Sequence, residues 1–126
     1  MRFRPEQHLR RQGDFDHVRS VGRRFDCGAF TVFYAPRRPP LIPVENTEPA
    51  PARAGFVASR SAVGNAVARA RAKRRLREGF RAHQTAFPPD VDFIFVARRS
   101  LNGLEHSVLQ ERFLNLCRKL FPSRAA

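Results

Sequence analysis

The sequence predicts an α/β sandwich, an α+β fold in which helices cover a sheet with some parallel pairing. Two observations carry this. Apolar, aromatic and β-branched runs recur at 25–35, 52–59 and 91–98, and such runs suit pleated strands. A long segment of helical periodicity separates the last two runs, and a strand–helix–strand unit sharing one sheet pairs its strands in parallel. A length of 126 residues fits one domain, 1–126, with a single core.

Each element has its own signal. Gly13 to Val21 reads as a short helix with Asp14 as N-cap, Phe15, Val18 and Val21 on one face, and Gly22 ending it. FDCGAFTVFYA, Phe25 to Ala35, reads as strand. Phe30, Val32 and Tyr34 fall on one side of it, Thr31 and Phe33 on the other, so both faces carry an aromatic, whereas a half-solvated sheet keeps one face polar. Residues 36–52 hold six of the ten prolines; proline cannot donate to a ladder, so this is a connecting loop, read as a solvated surface insertion. Ala52 to Ser59 is the next strand, 64–84 the helix that crosses over, and Val91 to Arg98 a buried strand after the Phe87-Pro88-Pro89-Asp90 turn. From Leu104 to Leu120, Leu109, Phe113, Leu116 and Leu120 form one apolar stripe, joined by Cys117, that packs on the sheet.

Charge narrows the function. Lys and Arg total 24 against 11 Asp and Glu, a net charge of +13, which calls for a polyanionic partner. No run of about 18 apolar residues would span a bilayer, and the basic start MRFRPEQHLRRQ lacks the apolar stretch of a signal peptide. The expectation is a cytoplasmic protein, with Cys27 and Cys117 as reduced thiols. Their separation, without His or Cys neighbours at ligand spacing, does not suit zinc.

The charge is concentrated in GNAVARARAKRRLREGF, Gly64 to Phe80. At about 100° per residue, Ala68, Ala72, Leu76, Gly79 and Phe80 share an arc of roughly 120° that forms the core face. Arg71, Lys73, Arg74, Arg75, Arg77 and Arg81 spread over the rest, with Arg69 at the edge of the apolar arc. From Arg60 to Arg81 there are eight basic residues and one acid, Glu78, a net +7. A basic helix face is ordinarily just solvated, but solvated helices interleave acids at i+4 to offset the charge. Arginine also outnumbers lysine here, and its planar fork matches phosphate oxygens. About six phosphate contacts would give log K a slope of about −4 to −5 against log salt. A strand precedes this helix rather than the short helix and turn of a DNA recognition unit, so RNA read by shape and backbone is expected and DNA is not. Phe15 and Phe33 either pack as core or, if open to solvent, stack on unpaired bases.

Catalytic signatures are missing. His8, His17, His83 and His106 are scattered, there is no glycine-rich phosphate loop, and Asp90 and Asp92 fall two apart on a strand without further carboxylates. Taken alone, the chain reads as a binding module without catalytic or metal-ligating residues.

Four stretches in order resemble one family, the protein subunit of bacterial ribonuclease P. They are L-x(5)-F-x-x-V (Leu9, Phe15, Val18), FTVFY, the G-N-A-V-x-R-x-R-x-K-R-x-x-R-x-x-F run, and VDFIFVAR followed by an amphipathic helix. Together they span about residues 9–121, and the third is the most specific. The resemblance implies a fold shared with a ribosomal-protein domain, with a mixed four-stranded sheet and a left-handed βαβ crossover, an exception to the right-handed rule. It implies that catalysis belongs to a large RNA subunit with bound Mg²⁺, and that the protein binds that RNA and the single-stranded 5′ leader of precursor tRNA. Carried onto this sequence, Arg69, Arg71, Lys73, Arg74 and Arg77, with Arg60 before the helix, become RNA contacts, and Phe15, Arg19 and Phe33 line the leader cleft. Two positions depart from the family: Ala70 replaces the asparagine of its Arg-Asn-Arg signature, and Arg19 stands where an aromatic or small residue is common. The competing reading is a structural RNA-binding protein such as a ribosomal component.

Overall fold

The computed structural model describes residues 7–9, 11–37 and 51–122. Residues 38–50 of the proline-rich connector lie outside the described residues. The order is α1 (Gln12–Val21), β1 (Arg23–Asp26), β2 (Phe30–Pro36), β3 (Arg53–Val57), the single turn α2 (Arg60–Val63), α3 (Ala66–Ala82), β4 (Val91–Ala97) and α4 (His106–Leu120). The strands form one sheet in the order β1-β2-β4-β3. β2 pairs antiparallel with β1 and β4, while β3 lies parallel to β4, so α3 is the crossover of a mixed four-stranded sheet.

The expected aromatic strand at 25–35 is a hairpin. Cys27 N–H donates to the Phe30 carbonyl at 2.9 Å, Gly28 takes φ +81°, and its N–H donates to Asp26 Oδ1 at 2.8 Å. A glycine reaches that φ without steric cost, and the aspartate closes the turn locally. The crossover helix is likewise interrupted. Ser59 caps α2, Gly64 turns the chain at φ +119°, and Asn65 restarts the helix by accepting from Ala68 N–H.

Helix α1 begins at Gln12 with Arg11 in the cap position, so Asp14 is not the N-cap. It sits buried in the first turn, 3.5 Å from Arg53 Nη1, where it meets a full positive charge as well as the helix N-terminus. Arg53 also forks onto the fully buried Asp92, with Nε to Oδ1 at 2.8 Å and Nη2 to Oδ2 at 2.6 Å.

The sheet divides the core into two clusters. Phe30, Val32, Phe93 and Phe95 face α3 and α4, where they meet Leu76, Phe80, Leu109 and Phe113. Of the arc assigned to α3, Ala72, Leu76, Gly79 and Phe80 are covered, and Ala68 is half-buried. Gly79 permits the closest approach, because a Cβ there would lie 2.2 Å from the Phe113 ring. Cys27 and Cys117 are free and buried in this cluster, and burial pushes their thiols up to about 12 and about 11. On the opposite face Leu9, Val18, Ala35 and Ile94 form a smaller cluster under α1, with Phe15, Phe33, Val57 and Val96 partly exposed around it.

Candidate nucleic-acid interface

Two surfaces on opposite sides of the sheet gather the residues expected to bind RNA. On α3, Arg71, Lys73, Arg74 and Arg77 are exposed, Arg69 is half-buried, and Arg60 is exposed on α2. Among the described residues, no carboxylate lies within ion-pair distance of these six side chains. The Arg77 guanidinium lies 5.8 Å from the centre of the Phe56 ring, which orients it without neutralising it. The core face pins the helix to the sheet, and the cations project from a rigid rod.

Arg75 behaves differently from its neighbours. Its guanidinium donates to the carbonyls of Leu101 and Leu104, the turn between β4 and α4. Asn102 of the same turn donates to the Ala68 carbonyl at 2.9 Å. Burial, followed by the charge of Arg71, lowers the Arg75 pKa from its ordinary value. This arginine spends its donors inside the fold, although the sequence places it among the surface cations.

Beyond the edge of α1, a cleft of about 670 Å³ opens on the other face of the sheet. Arg19, Arg24, Phe33, Ser59, Arg98 and Arg99 line it, with Thr31 and Val96 of the sheet also contributing. The Arg19 guanidinium stands 5.2 Å from the centre of the Phe33 ring. Arg98 is tied to Asp26 at 2.6 Å in a solvent-exposed pair; the Gly28 N–H, then Arg98, hold the Asp26 carboxyl below its ordinary value. The cleft combines one open aromatic surface with several guanidinium groups, which suits a base plane next to phosphates.

Of the three expected cleft residues, Arg19 and Phe33 are brought together. Phe15 shares the face but is not among the lining residues: its ring packs over Gly55, where a Cβ would lie 2.5 Å from Phe15 Cζ. Arg60 sits on the short turn whose Ala62, with the capping Ser59, borders the cleft, between the two surfaces. Arg24, Arg98 and Arg99 also line the cleft, beyond the residues that the sequence singles out. Strand parity offers a signal for Arg98, which continues the Ile94, Val96 alternation, and pairing offers one for Arg24, which stands opposite Phe33. Among the described residues no three His, Cys, Asp or Glu side chains gather to hold a metal, and no helix is long and apolar enough to cross a membrane.

The ribonuclease P family model matches residues 3–121. The chain is 32% identical over 122 residues to the ribonuclease P protein component of Petrotoga mobilis, covering 94% of each. It is 33% identical over 114 residues to that of Desulfovibrio desulfuricans, covering 89% of this chain and 81% of the relative. In fold it is similar to the ribonuclease P protein from Thermotoga maritima, with a TM-score of 0.71 at 23% identity over 90% of this chain and 96% of that one. A match over nearly the whole length, together with the arginine helix and the mixed sheet, shows that this chain belongs to the ribonuclease P protein family.

Proposed function

We propose that two surfaces of this chain divide the work of a ribonuclease P protein subunit: the face of α3 binds the catalytic RNA, and the cleft beside α1 holds the 5′ leader of precursor tRNA. The observation that carries this is the separation of the two kinds of surface by the sheet. Bare cations stand on α3, and the Arg19–Phe33 stack lies on the opposite face.

Arg60, Arg69, Arg71, Lys73, Arg74 and Arg77 neutralise phosphates of the folded RNA, and their rigid spacing selects backbone shape over base identity. Arg19 and Phe33 offer stacking planes to an unpaired leader base, and Arg24 and Arg99 lie beside them for the flanking phosphates. Phe15 docks α1 and borders the leader's path through its exposed edge. The protein positions substrate; hydrolysis belongs to the RNA subunit. Magnesium serves that RNA. The complex acts in the cytoplasm, on RNA and not on duplex DNA.

The test mixes this protein with a bacterial ribonuclease P RNA and a precursor tRNA at low magnesium, and times leader removal with both, with RNA alone and with protein alone. The expected result is rescue of RNA-dependent cleavage with no cleavage by protein alone. Tight RNA binding without rescue would return the chain to the structural RNA-binding reading.

A further inference from the structure

Helix α1 crosses one face of the sheet, and its sides meet different surroundings there. The registers place Arg53, Asp92 and Ala35 in one row, Gly55, Ile94 and Phe33 in the next, and Val57, Val96 and Thr31 in a third. Val18 points down into the middle and is fully buried. On one flank Phe15 and Arg19, four residues apart, reach Gly55 and Phe33, and the third row lies open as the floor of the cleft. On the other flank stands an ionic cluster. Asp14 and Asp92 are both buried and share Arg53. Arg37 Nε adds a contact to Asp92 at 3.6 Å, and His17 Nε2 lies 3.3 Å from the Pro36 carbonyl.

We infer that the Asp14–Arg53–Asp92 cluster positions α1, fixing how the helix rolls on the sheet and so how wide the leader cleft stands open. Apolar contact under Val18 is non-directional and would tolerate a roll of the helix. The forked Arg53–Asp92 hydrogen bonds are directional and rooted in two paired strands, so Arg53 is a fixed post, and its ion pair with Asp14 at 3.5 Å acts at one defined point of the first turn. Asp14 ties the first turn of α1 to that post. Rolling the helix would carry Arg19, little more than one turn further on, away from the Phe33 ring. Asp14 and Arg53 are therefore positioning residues, acting on the leader through Arg19. Neither lines the cleft.

The inference rests on the leader reading of the cleft, and the experiment separates the two. Binding to the reconstituted RNA–protein enzyme is measured for a precursor tRNA with a long leader and for one with a single-nucleotide leader, using Asp14→Asn, Arg19→Ala and the double variant. Asp14→Asn should weaken the long-leader substrate on the order of tenfold, as expected when a binding group is slightly misplaced, and leave the short-leader substrate unchanged. Asp14→Glu should recover part of that loss. In the Arg19→Ala background Asp14→Asn should add almost nothing, since groups acting through one another are not additive. Arg53→Lys, which keeps the charge but loses the fork, should repeat the selective loss and serves if Asp14→Asn lowers the melting temperature. Equal losses on both substrates, or additive losses in the double variant, would overturn the positioning role. Indifference of Arg19→Ala to leader length would instead overturn the leader cleft itself.

Discussion

Toward α3 and α4 the sheet presents Phe30, Val32, Phe93 and Phe95, every one fully buried. Toward α1 it presents Thr31, Phe33, Ile94 and Val96, and of these Phe33 and Val96 keep part of their surface in solvent. The residue types are similar, and the difference lies in what covers them. Two helices of 17 and 15 residues cover the first face, whereas one helix of 10 residues crosses the second. A phenylalanine under full cover is core. A phenylalanine at the edge of a short helix, with a guanidinium above it, is a surface on which a base can stack.

Substitution should separate these roles. Phe95 touches the Phe30, Phe56, Phe80 and Phe113 rings, and Phe95→Ala should cost about 3–5 kcal/mol of stability, read from the denaturation midpoint. Phe33→Ala should cost clearly less, because the ring is only partly covered. Its main effect should fall on RNA, weakening precursor with a leader by about 1–3 kcal/mol while mature tRNA binds as before. Equal loss on both RNAs would make Phe33 a packing residue and erase the contrast between the faces.

How much of this the sequence showed depends on how local each signal is. The core face of α3 was legible because periodicity needs only the helix itself: Ala72, Leu76, Gly79 and Phe80 recur at helical spacing. The second apolar face was legible from Phe33 standing out of phase with Phe30, Val32 and Tyr34. The hairpin at Cys27–Gly28 was hidden because two aromatic strands with a buried cysteine between them read as one apolar run. Asp14 was misplaced for a different reason. A carboxylate near a helix start resembles a cap, and only the fold brings Arg53 within 3.5 Å of it. Of the candidate site, the arginine helix was visible in composition, while the cleft needed Arg19, Arg24 and Arg99 to converge from three separate segments.

The two proposed RNA surfaces differ in the kind of binding they predict. The α3 face works through charge, so Arg71→Ala and Arg74→Ala should each flatten the plot of log K against log salt by about one unit. Titrating the catalytic RNA at several salt concentrations measures this. Phe33→Ala should lower leader affinity at every salt concentration with the slope kept, since an uncharged ring releases no counterions. If the arginine variants kept the wild-type slope, α3 would not be the RNA-binding face.

The smallest effect gives the finest test, because it compares two adjacent arginines. Arg74 is exposed and, among the described residues, has no carboxylate within ion-pair distance, whereas Arg75 donates to the Leu101 and Leu104 carbonyls. A guanidinium whose donors are committed within the fold has little left for a phosphate, so Arg75→Ala should leave the salt slope unchanged. Its cost should appear as stability. Two hydrogen bonds to carbonyls are lost, and water can reach the partly exposed site to replace them, so about 1 kcal/mol is expected. Arg74→Ala should leave the melting temperature almost unchanged while flattening the slope. The pair therefore forms a crossed comparison, one variant moving stability and the other moving counterion release. If Arg75→Ala flattened the slope as much as Arg74→Ala, the clamp on the turn would have to open in the complex, and the basic surface of α3 would extend around to the side that faces α4.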